Sequence, residues 1–339
     1  MIVGFEENDI SKNANGGTEI TKRKLAAEID QSLLEHFQII PSRVRGLQND
    51  KIRIYWAHDL IGDPETKFFE QPKELEKFHK IVFSSNWQYQ QYMNFYQLPY
   101  NSKSVVIDTW MDPAPADVIT NKPKDKIDIF YASTPQRGLE VLIPVFEKLT
   151  AEHSNLHLHV HSSFKIYGWD EMDEKYKPLY DKIKNNPNMT YHGYTERTEI
   201  LKAMNNYHIL AFPSTWPETS CRVLMEAMTA GCLCVHPNFG ALPDTSGGLT
   251  WMFPGDLTDI NRHAQNCYET LKIAVSRFES KPESFPDLEF IKQYADRRFS
   301  FEVIKQKWVN LLEALKEQYG SPESRETKVN DTPDFVYRI

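Results

Sequence analysis

The stretch "HILAFPSTWPETSCRVLMEAMTAG", His208 to Gly231, decides the fold. Its opening "HILAFPS" is apolar and β-prone, the pattern of a short buried strand. From Cys221 the apolar residues fall at helical spacing until Gly231, a residue type that ends helices. "TWPET" is therefore the turn from a strand C-end to a helix N-end, and in open α/β sheets ligands bind at such turns. First-turn N–H groups lack internal partners and carry partial positive charge, so Thr219, Ser220 and Cys221 are placed to hold a phosphate through their backbones. Glu218 then stands at the mouth of the site. Glu226 follows two turns later on the same helix, roughly 800° around and about 12 Å along. The plainer reading makes Glu218 a helix N-terminal charge and Glu226 a solvated face residue. Against it, Glu226 is flanked by "VLM" and "AMTAGC", where a carboxylate is costly without a specific partner.

Outward from this stretch, short β-rich runs alternate with helical patterns, the signature of α/β architecture with parallel sheets. The first series of strands is "MIVGF", "FQII", "IRIYWA", "KIVFSS" and "KSVVID", with helices over 17–36 and 87–96. "TWMDPAPADVITNKPKDK", rich in proline and charge, reads as an interdomain linker. The second series is "IDIFYAS", "LHLHVHSS", "MTYHGY", "YHILAFPS" and "LCVHPN", with helices over 138–152, 175–185, 196–205 and 221–230. These spacings predict two doubly wound domains, 1–112 and 113–299. A final amphipathic helix over 300–320 precedes a polar tail, 321–339, expected to be mobile.

The chain has 339 residues, room for two ordinary cores. Its 40% hydrophobic and 25% charged content is that of a soluble globular protein, with no run long enough to span a membrane. "MIVGFEENDISKN" turns polar too soon for a signal peptide, so a cytoplasmic location is expected. A net charge of -8 argues against a broad basic nucleic-acid surface. Cys221, Cys232, Cys234 and Cys267 lack zinc-site or disulfide-framework spacing and read as reduced thiols.

"PETSCRVLMEAMTAGC" resembles the E-x7-E segment of the retaining GT-B glycosyltransferases, family 4. The resemblance extends through "IFYASTPQRGLEVLIPVFEKL", "YHGYTERTEILKAMNNYHILAFPS", "NFGALPDTSGG" and "FSFEVIKQKW". More weakly, it includes "NGGTEI", "YWAHD" and "VFSSNWQ". It implies two Rossmann-like domains facing a cleft, with the nucleotide-sugar donor held by the second and the acceptor by the first. The last helix is expected to pack back on the first. Glu226 would bond the ribose hydroxyls and Glu218 those of the donor sugar. The expected reaction is hexosyl transfer to an acceptor hydroxyl with retention of configuration.

Bond breakage leaves negative charge on the diphosphate, which calls for a cation or oriented donors. The resemblance assigns this to Arg137, with Gly138 admitting close approach. Family members commonly carry two cations there; Lys165 and Arg222 are substitutes for the second. On the acceptor side the resemblance points to Gly16 and Gly17, with Thr18 as a helix cap, and to His58, beside Asp59, for positioning. The bland alternatives are a loop arginine, a simple helix start and a core histidine. His157, His159 and His161 share one strand face but lack a carboxylate, and Asp170 and Asp173 lie in a polar segment, so no metal and no other cofactor is expected. The aromatic run "NWQYQQYMNFYQLPY" reads as helix packing. The acceptor class stays open among glycan, lipid-linked sugar, protein and modified nucleic acid. Two rival functions keep the fold: a nucleotide-sugar-binding protein without turnover, signalled by Cys221 where many members have glycine, and a GT-B enzyme of epimerisation or phosphorolysis.

Overall fold

The computed structural model describes residues 3–5, 16–280 and 286–321, so the expected tail beyond Ser321 lies outside the described residues. The chain forms two compact units, one from Met1–Trp110 with Phe301–Ile339, the other from Met111–Ser300.

In the first unit β1 (Phe37–Pro41), β2 (Ile52–Ala57), β3 (Lys80–Phe83) and β4 (Ser104–Val106) form a parallel sheet in that order. β1 and β2 are buried along their whole length, so their residues are mostly apolar and the two polar ones find partners: Gln38 Nε2 donates to the Gly46 carbonyl at 2.9 Å and Arg53 Nε to the Lys77 carbonyl at 2.5 Å. Of the expected strand "MIVGF" the described residues Val3–Phe5 make a turn, and the Gly4 carbonyl accepts from the Ile39 N–H at 2.7 Å. The helix expected over 17–36 is two, α1 (Gly17–Glu28) and α2 (Gln31–Leu34). Asp30 divides them because its carboxylate accepts from the Ser32 N–H at 2.8 Å, capping the second. α3 (Pro72–Leu75) and α4 (Asn86–Phe95) complete this part. The aromatic run packs inward, with Tyr92 fully buried against Phe69 and Phe83.

The second unit holds β5 (Ile127–Ala132), β6 (Leu156–His161), β7 (Met189–Tyr191), β8 (Ile209–Ala211), β9 (Leu233–Pro237) and β10 (Trp251–Phe253). They form one parallel sheet in the order β10-β9-β8-β5-β6-β7. Its helices are α5 (Leu139–Thr150), α6 (Lys177–Lys184), α7 (Arg197–Met204), α8 (Arg222–Thr229), α9 (Leu242–Ser246), α10 (Ile260–Ser280) and α11 (Pro286–Phe299). Leu142, Ile143 and Phe146 from α5 and Leu224 and Met228 from α8 join Ile129, Leu158 and Ile209 of the strands in one core. All four cysteines are buried and free.

α12 (Phe301–Tyr319) returns to the first unit. Its buried stripe of Phe301, Ile304, Trp308, Leu311, Leu312 and Leu315 joins Ile54, Trp56 and Trp110 in a single cluster, with the Trp56 and Trp308 rings 4.8 Å apart. The proline-rich stretch is bound to the second unit rather than free. Lys122 is buried there because its ammonium donates to the Tyr207 carbonyl at 2.5 Å, and the Ala114 N–H donates to Thr229 Oγ1 at 3.0 Å. The units divide between Trp110 and Met111, against 112/113 from the sequence. Among the described residues no helix is long and apolar enough to cross a membrane.

Candidate functional site

Strand order in the second sheet reverses at β5: the chain leaves it toward β6 and β7, then returns through β8 to build the other side. Loops at the C-ends of two strands that part in this way diverge and leave a crevice. Here those loops carry Arg137, after β5, and Glu218, after β8. Both are held close. Gly138 takes a left-handed φ of 107°, and a Cβ there would overlap the Pro213 carbonyl oxygen, so the β5 loop lies directly on the β8 loop. Gly240 has φ 60°, and its Cβ would stand 2.7 Å from the Glu218 nitrogen; the next residue, Ala241, donates its N–H to the Glu218 carbonyl at 2.8 Å.

The two candidate ligand groups meet each other. Arg137 Nη1 lies 2.5 Å from Glu218 Oε1 and 2.6 Å from Oε2, while Nη2 reaches the Tyr167 hydroxyl at 3.5 Å. Side-chain exposure is 22% for Arg137 and 7% for Glu218. Burial works against the Arg137 charge, but Glu218 and then Tyr167 more than restore it, so the guanidinium is held firmly charged. Burial pushes the Glu218 carboxyl up, and Arg137 offsets part of that rise. Arg137 Nε is buried without a hydrogen-bond partner among the described residues.

Thr219 and Ser220 lie in the bend before α8, and Cys221 is its N-cap, one residue later than the sequence suggested for the helix start. Farther along α8, Glu226 is buried, and the cost of its charge is met by two arginines. Arg197 Nη1 stands 2.6 Å from Glu226 Oε1, and Arg222 Nε and Nη2 stand 3.3 Å from the same oxygen. Asp112 lies 3.6 Å from Arg197. Burial, then the Arg197 charge, brings Arg222 down to about 10 despite Glu226. Arg222 is thus committed to Glu226, and Lys165, exposed after β6, sits over the Tyr194 ring at 5.6 Å. Arg197 was missed in the sequence; its only signal was a place at the start of the helix behind "MTYHGY".

In the first unit Gly16 is the N-cap of α1, its carbonyl accepting from the Ile20 N–H at 3.1 Å; Gly17 begins the helix and accepts from Thr21 Oγ1 at 2.7 Å. The cap is therefore Gly16 and not Thr18, which is already inside the helix. His58 follows β2, its ring 4.5 Å from that of Trp56. Burial, then the Lys22 charge, holds its imidazole well below the usual range and hence neutral. The Asp59 carbonyl accepts from Gln88 Nε2 and the Tyr92 hydroxyl, each at 3.0 Å, which fixes this strand end to α4.

The remaining polar clusters are engaged internally. His157 meets Thr190 at 2.8 Å, His159 meets Asp128 at 3.2 Å and His192 at 3.1 Å, and His161 lies between Thr195 and Tyr207. These histidines therefore do have a carboxylate beside them, Asp128 of the neighbouring strand β5, which the sequence of β6 alone does not reveal. Asp173 accepts from Ser163, the Phe164 N–H and Tyr180, tying down the loop after β6, and Asp170 is exposed. Among the described residues no three His, Cys, Asp or Glu side chains group as a metal site.

Residues 116–247, which include Arg137, Arg197, Glu218 and Glu226, match the family model for glycosyl transferases group 1. No curated protein sequence matches. Among solved structures, a glycosyltransferase from Rickettsia africae superposes with a TM-score of 0.61 at 17% identity, over 90% of this chain and 83% of its own. Anabaena Alr3699/HepE in complex with UDP gives 0.59 at 17% identity, over 78% and 72%. The pneumococcal O-GlcNAc transferase GtfA in complex with UDP and GlcNAc gives 0.59 at 13%, over 79% and 53%. The likeness is one of fold: two Rossmann-like units of the GT-B type.

Proposed function

We infer that this chain is a glycosyltransferase drawing on a nucleotide-sugar donor, with the donor held at the β5/β8 strand ends of the second unit. The observation that carries the reading is the pair of buried carboxylates on one turn and helix, at the switch point of a doubly wound sheet. Glu226 is buried and its Oε1 is held by two arginines, which orients the carboxylate as an acceptor for ribose hydroxyls. Glu218 takes the hydroxyls of a hexose-type sugar. Arg137 and the backbone N–H groups of Thr219, Ser220 and Cys221 take the diphosphate between them. Gly16, Gly17 and His58 serve the acceptor, a glycan, lipid-linked sugar, protein or modified nucleic acid, and the cytoplasm is the expected compartment.

The transfer retains configuration. The bond from the anomeric carbon to the diphosphate oxygen breaks with its electron pair going to the diphosphate, the acceptor oxygen bonds to that carbon on the vacated face, and its proton passes to the departing phosphate. Charge growing on the diphosphate is met by Arg137, so no metal is required. Incubation with UDP-glucose, UDP-GlcNAc, GDP-mannose and ADP-glucose, following nucleoside diphosphate release with and without chelator, tests this. UDP-sugars head the panel because Alr3699/HepE was crystallised with UDP-glucose. Release that persists in chelator is expected; binding without release would make the chain a nucleotide-sugar-binding protein, and an epimerised donor would make it an epimerase.

A further inference from the structure

We propose that Glu218 determines specificity for a sugar-bearing nucleotide over a bare nucleoside diphosphate by competing with the diphosphate for Arg137. The proposal rests on the glycosyltransferase reading above and concerns the same two side chains.

Both oxygens of Glu218 lie on one guanidinium nitrogen, Nη1, at 2.5 and 2.6 Å. A charge-assisted contact this close engages Nη1 with both carboxylate oxygens and offsets the positive charge an arriving diphosphate needs, leaving it Nη2 and Nε. If the diphosphate draws Arg137 away, Glu218 becomes a buried charge without its counter-ion, a costly state. A sugar lifts that cost, since its hydroxyls donate to the carboxylate oxygens and free Arg137 for the phosphate. A bare nucleoside diphosphate has no donor to offer there. It must share Arg137 with Glu218 or bind with a proton taken up on the carboxyl. Neither loop has backbone slack to relieve this conflict: the β5 loop rests on the Pro213 carbonyl through Gly138, and the β8 loop rests on Gly240. The same competition works in reverse after transfer. Once the sugar has left, Glu218 recovers Arg137 and weakens the hold on the remaining nucleoside diphosphate.

Isothermal titration of the full chain at neutral pH, in two buffers of different ionisation enthalpy, tests the proposal with three pairs: UDP and UDP-glucose, GDP and GDP-mannose, ADP and ADP-glucose. For the pair that binds, the bare diphosphate is expected to take up protons and the nucleotide sugar fewer. Glu218→Gln, which hydrogen-bonds a sugar but carries no charge, is expected to bind the bare diphosphate roughly tenfold or more tighter than wild type, without proton uptake. Equal proton uptake by both ligands on the wild type overturns the proposal, and that arm stands even if the variant misfolds. So does a folded Gln variant that binds the diphosphate no tighter than wild type. Failure of all six ligands to bind the wild type overturns the glycosyltransferase reading itself, and the proposal with it.

Discussion

Arg137 is the residue on which site chemistry turns, because it is bonded to a carboxylate in the free protein and faces a leaving diphosphate in the proposed reaction. Interactions that strengthen only as charge develops raise turnover rather than donor affinity. Arg137→Ala is therefore expected to lower kcat about a hundredfold, on the order of 3 kcal/mol, with a smaller change in donor KM. Lysine should restore part of the loss, keeping the charge but not the planar fork. Steady-state kinetics on folded variants checks this; an alanine variant with wild-type kcat would leave Arg137 a structural ion-pair partner. Glu218 and Glu226 stand out in the sequence because they fall in a strand–turn–helix pattern, and Arg137 is singled out by the family resemblance. Their pairings are not legible there. Glu218 and Arg137 are 81 residues apart in sequence, and only the neighbouring placement of β5 and β8 brings them together. Arg197 shares the difficulty: a polar residue opening a helix has no periodicity to mark it.

Among the elements, β6 carries side chains that make stability depend on pH. His161 stacks on His192 with centroids 4.2 Å apart and planes 5° from parallel. Burial, then the His192 and His159 rings, brings it down to about 3. His157, His192 and His208 are also lowered, chiefly by burial, although Asp128 opposes the shift at His157 and His208. A histidine depressed in the folded state is neutral there but protonates in the unfolded chain below about 6.5. Its stabilising contribution is thus complete above that pH and is lost as pH falls from 6.5 toward 3. For His161 alone the loss at pH 5 is roughly 2 kcal/mol at 1.36 kcal/mol per pK unit. Thermal denaturation at pH 7.5, 6 and 5 should show a falling midpoint, and His161→Gln should flatten the slope. Most elements were legible, although Val3–Phe5 form a turn where a strand was expected, and the runs ending at Tyr194 and Ser214 extend three residues beyond β7 and β8. α10 and α11 were not identified: the buried stripe of α10 begins with His263 and Cys267, which do not register as a simple apolar face. β10, three residues at a sheet edge, is too short to show alternation.

At the scale of the whole molecule, the first unit is discontinuous in the chain: its core is shared between Met1–Trp110 and α12. Trp308 is fully buried against Trp56. Trp308→Ala is expected to cost about 3–5 kcal/mol, the range for deleting a large buried aromatic. Urea denaturation followed by circular dichroism measures it, and a loss below 1 kcal/mol would show that α12 contributes little to that core. The two-unit plan was visible in the sequence through the proline-rich break, whereas the binding of that stretch to the second unit was not, since nothing local pairs Lys122 with the Tyr207 carbonyl. The discontinuity also dictates an order of events at the ribosome. The first sheet emerges early but cannot close its core until α12 has been made, after all of Met111–Ser300, a wait of tens of seconds at roughly 5–20 residues per second. During translation the second unit can therefore finish folding first, while the N-terminal sheet waits with an apolar face uncovered, the interval in which a chaperone would find this chain.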